Sequence, residues 1–319
     1  MKVLIKNNTI RVTFISWWDI SDGIDINCFN ISDRFFLNLI ERTFNCKCKI
    51  VDNDNKPDII FVSVFNENRE YVVDYLKNHD LSLKIFYTGE NLDSRYTEYN
   101  DYLLNHVDIT LGFKKFNDNK SLRFPIWLTS TFDKKTFWDL LRDNPKFDLN
   151  KYFKQDDFDE SKRGFCSLCC SWGGLLNREM AFVCLNNYKP VNSGGSFLNN
   201  SLMLANMNQD ISAYYNNFNF NLCMENSKGT QYTTEKVFNA IYAGTIPIYY
   251  NDDIPEPDVL NNERIINLRD ENIMDVIKYY DNNYRKIFNL NIFTEKANEV
   301  ILNYYNSFIL SLKKFISRS

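Results

Sequence analysis

Residues 218–250 read FNFNLCMENSKGTQYTTEKVFNAIYAGTIPIYY, and the reading of the fold turns on them. The apolar run over 218–224 has the length and the polar flanks of a buried strand. A polar turn over 225–232 leads into a short helix that Thr233 or Thr234 can cap. Glu235 and Lys236 fall in its first turn, and Val237, Phe238, Ala240 and Ile241 form an apolar stripe. Gly244 ends the helix, and a second apolar run over 246–250 returns to the core. Strand, turn, helix and strand in that order leave the polar residues outside the carboxyl end of a sheet, where open α/β folds hold their ligands.

A helix N-terminus presents unpaired N–H groups and attracts anions, and Lys236 adds a positive charge there. Glu235 beside it repels a phosphate, so it either caps the helix or meets a second ligand group such as a sugar hydroxyl. Local pattern alone leaves a plainer reading open, with Glu225 and Glu235 as caps and Lys236 solvated.

The Glu-Asn-Ser at 225–227 and the run YTTEKVFNAIYAGTIPIYY at 232–250 resemble the signature of the alpha-1,3-fucosyltransferases, glycosyltransferase family 10. Tyr250 stands where that family carries Trp. FYTGEN at 86–91, followed by DITLGF at 108–113, is similar to the family's Thr-Gly-Glu-Asn block. RFPIW at 123–127 resembles its Arg-x-Pro, which leads into an aromatic strand. YKPVNSGG at 188–195 resembles its Val-Asp-Ser-Gly-Gly motif and so aligns Arg178 with the family's diphosphate-binding arginine. The segment before it reads LCCSW at 168–172, with Trp172 in place of the usual Asn. The resemblance covers roughly residues 59–268.

It implies a GT-B-like α/β protein of two Rossmann-like domains facing across a cleft. The implied reaction is an inverting transfer of L-fucose from GDP-beta-L-fucose to a hydroxyl of N-acetylglucosamine in a galactose-containing glycan, giving an alpha-1,3 or alpha-1,4 fucoside. Glu90 would be the base that activates the acceptor hydroxyl. Arg178 and Lys236 would grip the diphosphate, while Glu235 would hold fucose hydroxyls and favour cationic character at the ring carbon. Glu225, Asn226 and Tyr232 would shape the donor pocket, with Ser193, Gly194 and Gly195 as a phosphate loop. No metal or cofactor is required, because fixed cations already face the diphosphate. Two other readings stand beside this one: a transferase using a different GDP-sugar, and a glycan-binding protein without chemistry.

The residues carry their own arguments. Glu90 directly follows an apolar strand over 83–87, which holds a carboxylate at the edge of a ligand crevice and suits a general base. Gly-Glu-Asn is equally good turn chemistry. Arg178, near the start of a helix over 176–185, opposes the helix dipole unless an anion lies against it; a surface salt bridge is the alternative. Gly194 and Gly195 permit backbone conformations closed to other residues and bring N–H groups toward a phosphate, or else form an ordinary loop.

A chain of 319 residues accommodates two domains. The alternation of strands and helices from residue 3 onward predicts a mainly parallel sheet, without a G-x-G-x-x-G fingerprint. We expect an acceptor-binding α/β domain over 1–155, a donor-binding α/β domain over 156–290 and a helical tail over 291–319, interrupted at 303–307 and packing across the domains. Residues 137–141 read as a short helix or a lid over the acceptor. With 26 Phe and 19 Tyr, the core is built from large rings that also offer stacking surfaces. A net charge of −4 argues against a nucleic-acid-binding surface. Eight cysteines without an export signal read as thiols, and Cys166, Cys169 and Cys170 as strand residues rather than zinc ligands, since the chain has only two histidines. The expected place is the cytoplasm, with peripheral membrane contact through the basic, apolar tail as a second reading.

Overall fold

Continuous apolar runs make the parallel strands expected of an α/β protein, because such strands are covered on both faces. The computed structural model describes residues 2–18, 34–52, 56–65, 68–93, 102–115, 118–154, 163–173, 176–251, 253–268 and 273–318. Two compact units account for them: Met1–Asp143 with Ile301–Ser319, and Asn144–Val300. The expected border after residue 155 lies outside the described residues. The division itself falls earlier in the chain, and the tail is shared between the units instead of forming a third one.

Unit 1 is built on a six-stranded parallel sheet of β2 (Thr9–Ile15), β3 (Lys47–Ile50), β4 (Ile59–Val62), β5 (Leu83–Tyr87), β6 (Ile109–Gly112) and β7 (Ser121–Arg123), in the order β3-β2-β4-β5-β6-β7. The chain runs outward from β2 to β3 and then resumes on the other side at β4, which makes β2 the topological switch point. The core is aromatic, as the composition suggested. Phe14 stacks on Phe61 at 5.1 Å, and Phe36 lies 4.8 Å from Tyr87.

Three expectations for this unit are corrected. Residues 126–128 form a 3-10 turn with Trp127 buried, not an aromatic strand. Phe137–Leu141 is a helix with a Thr136/Asp139 capping box, and Phe137, Trp138, Leu140 and Leu141 are buried, so it is core rather than a lid. The helix Ala297–Phe315 runs through 303–307 unbroken. Asn303, Asn306 and Ser307 face solvent while Ile301, Tyr305, Phe308 and Leu312 are buried, and that apolar stripe overrides the weak helix propensity of Asn and Ser. Phe308, Ile309, Leu312 and Ile316, part of the apolar surface offered to a membrane, are thus buried. The chain ends in β13 (Ile316–Arg318), which pairs in parallel with β1 (Val3–Ile5) outside the main sheet.

Unit 2 holds a five-stranded parallel sheet of β8 (Gly164–Leu168), β9 (Val191–Ser193), β10 (Phe218–Leu222), β11 (Ile246–Tyr249) and β12 (Ile266–Asn267), ordered β12-β11-β10-β8-β9. Its switch point is β8, flanked by β9 on one side and β10 on the other. Cys166, Leu168, Leu222, Ile248 and Tyr250 are among its core residues, so Tyr250 places a buried ring there. No helix among the described residues is long and apolar enough to cross a membrane.

Candidate active site

The loops after β8 and β10 leave the carboxyl edge of the sheet on either side of the switch point, and charged side chains tie them together. Thr234 caps the helix Glu235–Tyr242. Glu225, only 1% exposed, accepts from the Thr234 N–H at 2.7 Å and from its hydroxyl at 2.8 Å. The Lys236 ammonium lies 3.3 Å from the same carboxylate, 3.0 Å from Thr234 Oγ1 and 3.8 Å from the Glu235 carboxylate. Burial raises the Glu225 carboxyl above its ordinary pKa, although Lys236 and the Thr234 N–H pull it back. Burial likewise acts to lower Lys236, but the carboxylates of Glu225 and Glu235 outweigh it and the net shift is upward. Lys236 therefore stays charged, with its ammonium held in place from behind.

Arg178 lies in the first turn of the helix Leu176–Tyr188 and is 2% exposed. Its Nη1 donates to the Trp172 carbonyl at 2.5 Å and its Nη2 to the Met224 carbonyl at 2.7 Å. It thereby bridges the two loops of the switch point. Among the described residues no carboxylate lies within ion-pair distance of it, so the surface salt bridge is ruled out. A buried cation without a counter-charge is costly and attracts an anion. The Trp172 side chain is 61% exposed and only its carbonyl serves Arg178, so this contact does not depend on the side chain at 172.

The Ser193–Gly195 loop packs against the same edge. Ser193 is buried, its hydroxyl donating to the Phe197 carbonyl at 2.9 Å and its N–H to Asn200 Oδ1 at 2.8 Å. Neither Gly194 nor Gly195 has positive φ, so the conformational reason given for these glycines is corrected. Close approach is the reason instead: a Cβ on Gly195 would lie 2.3 Å from the Cys170 carbonyl oxygen and 2.5 Å from its nitrogen. Gly195→Ala forces backbone apart and is expected to destabilise unit 2 by about 1–3 kcal/mol, whereas Gly112→Ala, with open space around it, should change little. Urea unfolding of both variants checks this; equal midpoints would show that the loop does not need the contact.

Tyr232 is buried, with its hydroxyl 3.0 Å from Asn226 Oδ1. Asn251, which the sequence reading passed over, fastens this turn: its Nδ2 donates to the Tyr232 carbonyl at 2.8 Å and its Oδ1 accepts from the Gly229 N–H at 3.2 Å. Its place one residue beyond the Ile-Pro-Ile-Tyr-Tyr run was the available signal. Of the residues expected at the donor, Glu235, Lys236, Asn226, Gly194 and Gly195 retain accessible surface. Glu225, Tyr232 and Ser193, like Arg178, are buried and hydrogen-bonded within the protein.

Glu90 belongs to unit 1. It follows β5 and is half-buried, its N–H donating to Thr88 Oγ1 at 3.0 Å. The turn is tight because Gly89 lies against Ile126, whose Cδ1 would be 2.4 Å from an added Cβ. An aromatic shelf stands nearby at the switch point of the unit 1 sheet. Trp18 packs 5.0 Å from Phe65 and 5.7 Å from Tyr87, the last residue of β5. The paired tryptophans just after β2 were the available signal. Among the described residues no cluster of His, Cys, Asp and Glu has the arrangement of a metal site.

Two family models match the chain. The FucT N-terminal domain of alpha-(1,3)-fucosyltransferases matches residues 15–130, and the C-terminal glycosyltransferase family 10 (fucosyltransferase) domain matches residues 155–285. The chain belongs to glycosyltransferase family 10. The alpha-(1,3)-fucosyltransferase FucT of Helicobacter pylori is 28% identical over 297 residues, 85% of this chain and 57% of that protein. The chain thus spans a little over half the length of this curated relative. A crystal structure of an alpha1,3-fucosyltransferase with GDP-fucose superposes with a TM-score of 0.60 at 21% identity, covering 97% of this chain and 93% of that one. The apo lipopolysaccharide outer core galactosyltransferase WaaB gives 0.53 at 10% identity, covering 96% and 99%. At such identities the superpositions establish the fold of this family 10 chain as two α/β lobes. They leave the chemistry to its own residues.

Proposed function

We propose that the chain transfers L-fucose from GDP-beta-L-fucose to a hydroxyl of N-acetylglucosamine in a galactose-containing glycan, with inversion, to give an alpha-1,3 or alpha-1,4 fucoside. The observation that carries this is the switch-point crevice of unit 2, where buried Arg178 and helix-start Lys236 stand together without a carboxylate on the arginine. Such a pair suits a diphosphate, and membership of family 10 supports fucose as the sugar. In this reading the units act as the two Rossmann-like domains of a GT-B transferase facing across a cleft, unit 2 holding the donor and unit 1 the acceptor and the base.

Glu90 takes the proton of the acceptor hydroxyl as that oxygen attacks the anomeric carbon in line with the departing diphosphate. Arg178, Lys236 and the N–H groups at the start of the helix Glu235–Tyr242 stabilise the charge that develops on GDP. Glu235, half exposed beside Lys236, holds fucose hydroxyls and favours positive charge at the ring carbon. Because these cations do the work of a metal, transfer should persist in EDTA. The acceptor class rests on the family resemblance. The burial of Phe308, Ile309, Leu312 and Ile316 argues against adsorption to a membrane through that face of the tail.

The test is a panel of GDP-sugars against galactose- and N-acetylglucosamine-containing acceptors, with the product linkage solved by NMR. Transfer from GDP-fucose alone supports the proposal, and a preference for another GDP-sugar replaces it with the second reading. GDP release that never exceeds background in the presence of acceptor leaves a glycan-binding protein. The aromatic shelf gives a finer test. Trp18 and Phe65 suit stacking against a sugar face, so Trp18→Ala should raise the acceptor KM several-fold, a loss of about 1 kcal/mol. Donor KM should hold. An unchanged acceptor KM removes the shelf from recognition.

A further inference from the structure

The sheet of unit 2 also has amino ends, and a second cavity lies there. It measures about 280 Å³ and is lined in part by Gly244 and Arg264, which precede β11 and β12 respectively, so it opens on the edge of the sheet opposite the donor crevice. Arg264 ends the 3-10 turn Asn262–Arg264 and is 3% exposed. Its guanidinium lies over the Phe288 ring, 4.6 Å from the centre, while Nε and Nη1 have no hydrogen-bond partner. Among the described residues no carboxylate is within ion-pair distance of it. Burial lowers its pKa to about 10, and the neighbouring Arg163 charge acts in the same direction.

Two of the polar groups around it are already engaged. Asn150 Oδ1 accepts from the N–H groups of Ile292 and Phe293, and its Nδ2 donates to the Phe293 carbonyl. Asp148, the acid on the lining, caps the helix Leu149–Phe153 by accepting from the Lys151 N–H at 2.9 Å. Lys151 and Lys154 also line the cavity and are exposed, adding positive charge at its rim. Unmade hydrogen bonds on a buried cation are costly, and an anion supplied from outside removes that cost.

We propose that this cavity binds a small organic oxyanion, a phosphate monoester or a carboxylate, through the Arg264 guanidinium with Lys151 and Lys154 at the rim. The volume exceeds what a bare inorganic anion fills, and the Phe288 wall suits a carbon body.

Calorimetric titration of the full chain tests this with three probes at constant ionic strength: inorganic phosphate, glucose 1-phosphate and acetate. GDP is kept saturating so that the donor crevice is filled. Phosphate should bind at one site, and glucose 1-phosphate more tightly than phosphate. Acetate binding more tightly than phosphate would identify the carboxylate form of the site. Arg264→Met should weaken the preferred anion about 10-fold or more, as expected for loss of a charge-assisted contact, and Lys151→Ala with Lys154→Ala several-fold. Absence of saturable binding by all three probes overturns the proposal, as does equal affinity in wild type and Arg264→Met. Should Arg264→Met not fold, the exposed lysine pair carries the test, and unchanged affinity there overturns it. If the chain does not bind GDP, the titration on Lys236→Ala keeps the donor crevice out of the signal.

Discussion

Glu90→Gln is expected to lower turnover about 100-fold or more while GDP-fucose affinity stays within a few fold, the range over which a positioned general base acts. The size follows from chemistry. An acceptor hydroxyl is a poor nucleophile at neutral pH, and the amide keeps the shape of the side chain but cannot take the proton. A hundredfold loss corresponds to about 3 kcal/mol of barrier. The selectivity follows from structure, because Glu90 belongs to unit 1 while the residues assigned to the diphosphate belong to unit 2. The Gly89 contact with Ile126 and the Thr88 hydroxyl fix the turn through groups that the substitution leaves untouched. Single-turnover rates and donor binding, measured on the same preparation, separate the two quantities. Unaltered turnover would remove Glu90 from the role of base, and a parallel loss of donor affinity would mean that its part lies in holding the donor.

What the sequence revealed of this fold was local. Residues 218–250 carry strand, cap, helix and returning strand within one window, and their placement at a sheet edge follows from that order. Pairings between distant partners were not legible. β1 pairs with β13, joining Val3 to Ile316, and no pattern near either end announces it. β3 is an edge strand with two lysines among its four residues, so its run is not apolar. The charges of the site were legible by type, but the direction of each side chain was not. Glu225 and Ser193 stand in motif positions and yet turn inward, because Thr234 and Phe197 offer backbone groups that need partners. Gly195 was noticed for its freedom and is required for its smallness, which depends on where Cys170 runs beside it.

Lys236→Ala should weaken GDP binding by about 10- to 100-fold and slow transfer with it, the range expected for charge-assisted contacts worth about 1.5–3 kcal/mol. Two causes compete for that loss. The substitution removes a cation from the diphosphate, and it also takes from the buried Glu225 carboxylate its nearest positive charge. Glu225 would remain bonded to the Thr234 N–H and hydroxyl, but its charge would then be more costly to bury, and the start of the helix Glu235–Tyr242 would loosen. The double variant Glu225→Gln with Lys236→Ala separates the two. Gln keeps an acceptor for the Thr234 N–H and carries no charge, so it relieves the burial cost without restoring a cation. Calorimetry with GDP should find the double variant as weak as Lys236→Ala. Recovery of most of the wild-type affinity would show instead that Lys236 acts by steadying Glu225, and that Arg178 and the helix N–H groups hold the diphosphate without it.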